Sequence, residues 1–120
     1  MHAKHRSVVD ITLLVRAHIE RFNAAVAIGN FEEMVAHFTE DATMSFEGVP
    51  VGPFQGREAI AEAYAAQPPD DQLLVLEFLA QNADSVDMSY AWAADPARRA
   101  GTMTIERRDA LISRLVVRFE

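Results

Sequence analysis

Residues 29–64, GNFEEMVAHFTEDATMSFEGVPVGPFQGREAIAEAY, switch hydrophobic period twice within one short span. Phe31, Met34, Val35 and Phe38 recur at helical spacing, which predicts a short helix from Phe31 to Phe38. Thr39-Glu-Asp41 reads as an acidic turn. Ala42, Met44 and Phe46 then alternate with Thr43, Ser45 and Glu47, the pattern of a strand with two unlike faces. Gly48 to Gly56 holds two prolines and three glycines and reads as a loop. Arg57 to Ala66 returns to helical spacing and is stopped by Pro68-Pro69.

Upstream, Val8, Ile11, Val15, Ile19, Phe22 and Val26 sit three or four residues apart. They align on one face of a long amphipathic helix, Ser7 to Ile28. Ser7 and Asp10 are candidate caps near its start, and Gly29-Asn30 ends it. Downstream the pattern is strand-like: Leu73–Ala80, Ser85–Ala93, Gly101–Arg107 and Leu111–Phe119 alternate with turn-rich pieces. Such spacing predicts an antiparallel meander. Helices first and sheet afterwards is an α+β arrangement, with the helices covering one sheet face. Met88, Tyr90 and Trp92 share one side of their strand. Leu115, Val117 and Phe119 share one side of the last strand, and both sets are assigned to the covered face. In the fourth strand either Met103 and Ile105 or Thr102, Thr104 and Glu106 point inward; alternation leaves both open.

With 120 residues, half of them apolar, the chain has the length of one domain spanning 1–120. The net charge of −7 and the lack of a basic cluster argue against nucleic acid and anionic membranes as partners. Cysteine is absent, which removes disulfides, thiol nucleophiles and thiolate metal sites. No apolar run has membrane-spanning length. The leading MHAKHRSVVD lacks the apolar core of a signal peptide, so a cytoplasmic protein is expected. Four histidines show no metal-ligand spacing, so no metal is expected.

The order helix, acidic turn, strand, Gly-Pro loop, helix, with the motifs FTEDATMSFEG and GPFQGREAI, resembles the nuclear-transport-factor-2-like superfamily, the group of ketosteroid isomerases and SnoaL-like polyketide cyclases. The resemblance covers about Val8 to Phe119. It implies a cone: three N-terminal helices packed on a curved, mostly antiparallel sheet around one apolar pocket. It also implies a cofactor-free site for a hydrophobic, steroid- or polyketide-like small molecule. In the isomerases a tyrosine on the first helix and a protonated carboxylic acid hold the developing enolate oxygen, while an aspartate moves the proton. Matching through FNAAVAIGNFEEMVAHFTEDAT places Phe22 at the tyrosine and Phe46 at the aspartate. A phenyl ring neither donates a hydrogen bond nor takes a proton. The third group falls on Glu106 or, two residues away, on Thr104.

Glu106 is therefore the first acid–base candidate, with His18 and Tyr90 as helpers. The alternative for Glu106 is an exposed strand residue paired with Arg107, Arg108 or Arg114. For His18 it is a buried histidine with a structural bond, and for Tyr90 a packing role with one polar tip. The pocket candidates are Phe22, Phe38, Met44, Phe46, Phe54 and Tyr64 from the first half of the chain. Met88, Trp92, Thr104, Leu115, Val117 and Phe119 come from the sheet. A homodimer through the outer sheet face is also expected, using Met103, Ile105 and Val116 if they point outward.

Overall fold

The computed structural model describes residues 10–120. Helix α1 (Ile11–Ile28) begins at Asp10, whose side chain accepts a bond from the Thr12 N–H. Ser7, the other candidate cap, lies outside the described residues. The helix ends at Gly29, in the left-handed conformation at φ 73°, with its N–H bonded to the Ala25 carbonyl. Glycine adopts that conformation without a Cβ penalty. One stripe of α1, including Leu14, Val15, His18, Ile19 and Phe22, is buried.

Helix α2 is only Glu32–Val35, shorter than the expected Phe31–Phe38. Strand β1 (Phe38–Glu47) starts at Phe38 and takes in Thr39-Glu-Asp41, where a turn was expected. The reason is tertiary. The His37 carbonyl accepts the Ile112 N–H at 2.9 Å, and Phe38 is fully buried beside Ile112 in the ladder. Those long-range bonds outweigh a helical preference worth a few tenths of a kcal/mol per residue. Within the Gly-Pro loop, β2 (Phe54–Gln55) pairs with Thr43 and Met44 of β1. Helix α3 (Arg57–Ala66) packs on β1. Four strands follow: β3 (Leu73–Gln81), β4 (Ser85–Trp92), β5 (Gly101–Arg108) and β6 (Leu111–Phe119).

All six strands form one sheet in the order β2-β1-β6-β5-β4-β3. Every pairing is antiparallel except β1 with β6. Helices and the inner sheet face enclose one apolar core. This is an α+β cone of the nuclear-transport-factor-2-like type.

The ambiguous strand is resolved by burial. Met103 and Ile105 join the core, and Thr102, Thr104 and Glu106 take the outer face. That outer face is a polar lattice. Thr104 Oγ1 donates to Asp87 at 2.7 Å, and Arg118 donates to both Thr104 Oγ1 and Glu47. The apolar outer patch expected from Met103, Ile105 and Val116 is not formed: the first two point inward, and Val116 is fully covered. Exposed leucines lie instead on the edge strand β3, at Leu74, Leu76 and Leu79. Register shifts within the β3–β4 pairing, between Val75 and Glu77 and between Phe78 and Ala80, mark bulges. Bulges are one way an edge strand is kept from pairing onward.

Candidate functional site

Alternation along three strands brings Tyr90 and Trp92, Met103, and Leu115, Val117 and Phe119 to one interior wall. In the same sheet β1 adds Phe46 beside Val117, and the helices supply His18 and Phe22 from α1 and Tyr64 from α3. Pro69 and Leu73 close the ring. Together they line a cavity of about 90 Å³. Its rings hold one another. Phe46 stacks on Phe119 with centroids 6.2 Å apart, and Tyr90 meets Trp92 edge-on at 5.9 Å. Tyr64 stacks on Phe31 at 5.0 Å, and Phe31 meets Phe22 edge-on. Each such pair adds about 0.5–1.5 kcal/mol beyond its area burial, which makes the wall stiff.

One contact between distant segments shapes the rim. The Asn23 side chain accepts the Leu73 N–H at 2.7 Å and donates to the Leu73 carbonyl at 3.0 Å. A side-chain amide of α1 thus serves Leu73 as a neighbouring strand would. It fixes where β3 begins and keeps Leu73 against the cavity.

Beyond the cavity lies a wider depression of about 500 Å³, which shares Trp92 and Phe119 with it. Asp70, Asp71, Asp95, Arg98 and Glu120 line this outer space. Several of its charges are already engaged. Glu120 pairs with Arg99 at 2.8 Å, and Asp71 accepts backbone N–H groups from Gln72 and Ala94.

The sequence candidates divide into three groups. Phe22, Phe46, Tyr64, Trp92, Leu115, Val117 and Phe119 line the cavity, as do His18 and Tyr90. Phe38, Met44, Met88 and Phe54 belong to or pack against the core without lining it. Phe38 backs the His18 ring edge-on at 5.7 Å, and Phe54 backs Phe46. Thr104 and Glu106 do not line the cavity, and Glu106 takes the alternative of an outward strand residue paired with Arg114. Strand alternation turns both to the outer face, where the Glu106 carboxylate accepts a bond from Arg114 at 2.7 Å. Sequence reasoning read Pro69 only as part of the helix stop, missed Leu73, and left Met103 undecided. Among the described residues, no Asp, Glu, Lys or Arg side chain lines the inner cavity.

Two buried polar atoms of cavity-lining residues lack a hydrogen-bond partner among the described residues: His18 Nδ1 and Tyr90 Oη. Both residues are almost fully buried. Desolvation, followed by the charges of Arg21 and His37, pulls the His18 pKa down to about 4, so the imidazole is neutral at pH 7. Burial, then the charge of Glu120, pushes the Tyr90 phenol above its ordinary value, so it keeps its proton. Burial raises the Tyr64 phenol as well. Among the described residues no group of three or more His, Cys, Asp or Glu is placed to hold a metal, and no helix is long and apolar enough to cross a membrane.

The sequence profile of the SnoaL-like domain matches residues 19–115, and the chain belongs to that family. No curated protein sequence matches it. Among solved structures it is similar to the epoxide hydrolase/cyclase-like enzyme SalBIII of pyran-ring formation in salinomycin, with a TM-score of 0.71 and 19% identity over 91% of this chain and 89% of that one. A ketosteroid isomerase-like protein from Kribbella flavida is similar at TM-score 0.62 and 23% identity, covering 89% and 78% of the two chains. The Δ5-3-ketosteroid isomerase of a Mycobacterium species is similar at TM-score 0.63 and 17% identity, covering 89% and 93%. At these identities the likeness is one of fold.

Proposed function

We propose that this SnoaL-like chain binds a hydrophobic, ring-bearing small molecule in the inner cavity and does so without carboxylate chemistry. The observation that carries this reading is the lining: among the described residues it is aromatic and aliphatic, with the polar tips of His18, Tyr64, Tyr90 and Trp92 and no Asp, Glu, Lys or Arg. A ligand site of this kind is concave, mostly apolar and fixed by a few polar groups. The isomerase route is disfavoured by Phe22 and Phe46, which stand where a donor and a base are needed, and by Glu106 on the outer face. Loss of a general base alone typically removes a factor of about 10²–10⁴ in rate. A thermal-shift screen with steroids, aromatic polyketides and monocyclic ketones and phenols tests the reading, because ligands that bind only the folded state raise the melting temperature. No shift with any of these classes refutes it.

A second reading, cofactor-free proton transfer, is favoured by His18. Its neutral imidazole, with Nδ1 lacking a hydrogen-bond partner, is the base among the described residues that line the cavity. It predicts turnover of an enolisable ketone that His18→Gln abolishes while binding persists. The binding reading predicts negligible turnover of a 5-ene-3-ketosteroid.

A homodimer is part of the same proposal. Its contact would use the uncovered outer sheet face together with the exposed Leu74, Leu76 and Leu79 of β3. Light scattering that finds a monomer at micromolar concentration refutes it.

A further inference from the structure

We infer that the binding site extends beyond the inner cavity: the ligand occupies that cavity and the outer depression together, and the Phe119 ring is the gate between them. The ligand class is then an elongated ring-bearing molecule, apolar at its buried end and solvated at the other. This rests on the small-molecule reading above and deepens it.

Size calls for the extension. The inner cavity measures about 90 Å³. An apolar cavity of about 150 Å³ holds benzene, and ligand pockets commonly measure about 300–1,000 Å³. The inner space as it stands is therefore short of room for one ring. The outer depression measures about 500 Å³, and the two spaces share Trp92 and Phe119 as walls. Moving one of these two side chains joins them.

Phe119 is the one placed to move. Its ring is 46% exposed, whereas Trp92 packs against the buried core and meets the Tyr90 ring edge-on. The backbone at Phe119 is anchored on both sides. It pairs with Gly101 in the β5–β6 ladder, and the following N–H, of Glu120, donates to the Ala100 carbonyl at 3.0 Å. Motion there is a turn about side-chain bonds from one staggered position to another. The stack on Phe46, with planes 12° apart, holds the ring in its closed position. A second hollow, of about 310 Å³, meets the inner cavity at Tyr64. That side is shut, because Tyr64 is buried and stacked on Phe31, which Phe22 braces in turn.

The two spaces suit the two ends of such a ligand. The inner lining is apolar, and Asp70, Asp95 and Arg98 border the depression. A polar substituent keeps its hydration in the depression and would lose it inside. A gate that must leave its stack before the ligand enters slows association by the fraction of time it stands open. The worth of one aromatic stack makes that factor about two- to tenfold.

The probe is 2-naphthol, followed by stopped-flow fluorescence of Trp92, the only tryptophan in the chain and a wall of both spaces. Phe119→Leu keeps an apolar side chain and removes the stack, and Phe119→Ala removes the gate. The association rate constant is expected to rise about two- to tenfold in both. In the parent chain, saturation with 2-naphthol should abolish NOEs between the Phe46 and Phe119 rings. It should also shift the amides of Ala94 and Ala100, which line the depression and not the inner cavity. A residue that is merely a wall behaves otherwise: its truncation speeds dissociation and leaves association unchanged. That result, or NOEs that persist at saturation, overturns the gate while leaving the small-molecule reading in place. Shifts confined to inner-cavity residues overturn the extension. Absence of 2-naphthol binding in all three chains overturns the whole inference, and the small-molecule reading then stands or falls on its own thermal-shift screen. Should Phe119→Ala fail to fold, Phe119→Leu decides alone.

Discussion

Replacing Tyr90 by phenylalanine should make the ligand-free protein more stable. Tyr90 is 1% exposed, and its hydroxyl has no protein partner among the described residues. An unsatisfied buried polar group costs about 1–3 kcal/mol in desolvation. Phenylalanine keeps the ring, and with it the edge-on contact to Trp92 at 5.9 Å. Against the gain stands the loss of a few oxygen contacts, each worth about 0.1–0.2 kcal/mol. The net expectation is a stabilisation of about 1 kcal/mol or more. For a chain of this length that corresponds to a rise in melting temperature of roughly 3–6 °C. Urea denaturation is the direct assay: the midpoint should rise with an unchanged slope, because the surface exposed on unfolding is unchanged. A loss of 1 kcal/mol or more refutes the reasoning, since it would mean that the hydroxyl is well satisfied in the folded state.

Four other outcomes follow from particular contacts. The His18 pKa is about 4 in the folded chain against about 6.5 unfolded, so the unfolded state binds more protons between those values. Its contribution is fully present above pH 6.5 and is lost as pH falls to 4, at most about 3 kcal/mol, and denaturation curves of His18→Gln should show that part of the slope removed. A Cβ at Gly101 would meet the Arg118 carbonyl oxygen at 1.9 Å. Gly101→Ala should therefore cost at least about 2–3 kcal/mol, and a denaturation midpoint equal to that of the parent chain would contradict the β5–β6 register. Asn23→Ala leaves both backbone groups of Leu73 without their partner, and a loss of about 1–3 kcal/mol is expected with faster hydrogen exchange at the Leu73 amide. Glu106→Gln should change stability by less than about 1 kcal/mol and leave ligand binding intact, since its pair with Arg114 is partly exposed; loss of binding would show that the outer face communicates with the cavity.

Much of this molecule is local, and local physics is legible in sequence. Apolar residues three and four apart placed α1 and α3, because a helix brings such residues onto one face. Period-two alternation put Tyr90 and Trp92, and Leu115, Val117 and Phe119, on the inner wall, because successive strand side chains must point to opposite faces. Gly29 and Pro68-Pro69 marked helix ends through backbone constraints that each residue carries by itself. The motifs shared with the family set the order of elements, and with it the cone.

What the sequence left open depended on partners far along the chain. Both faces of β5 looked equally suited to the interior, and only its place between β4 and β6 turned Met103 inward and Glu106 out to Arg114. The end of α2 was decided by the bond from Ile112 to the His37 carbonyl. Leu73 became part of the cavity wall because Asn23, 50 residues away in sequence, holds its backbone. That His18 Nδ1 and Tyr90 Oη both lack a partner among the described residues could not be read from either residue, since satisfaction is a property of neighbours. Periodicity states which face a residue takes on its own element; the packing of six strands and three helices decides what that face meets.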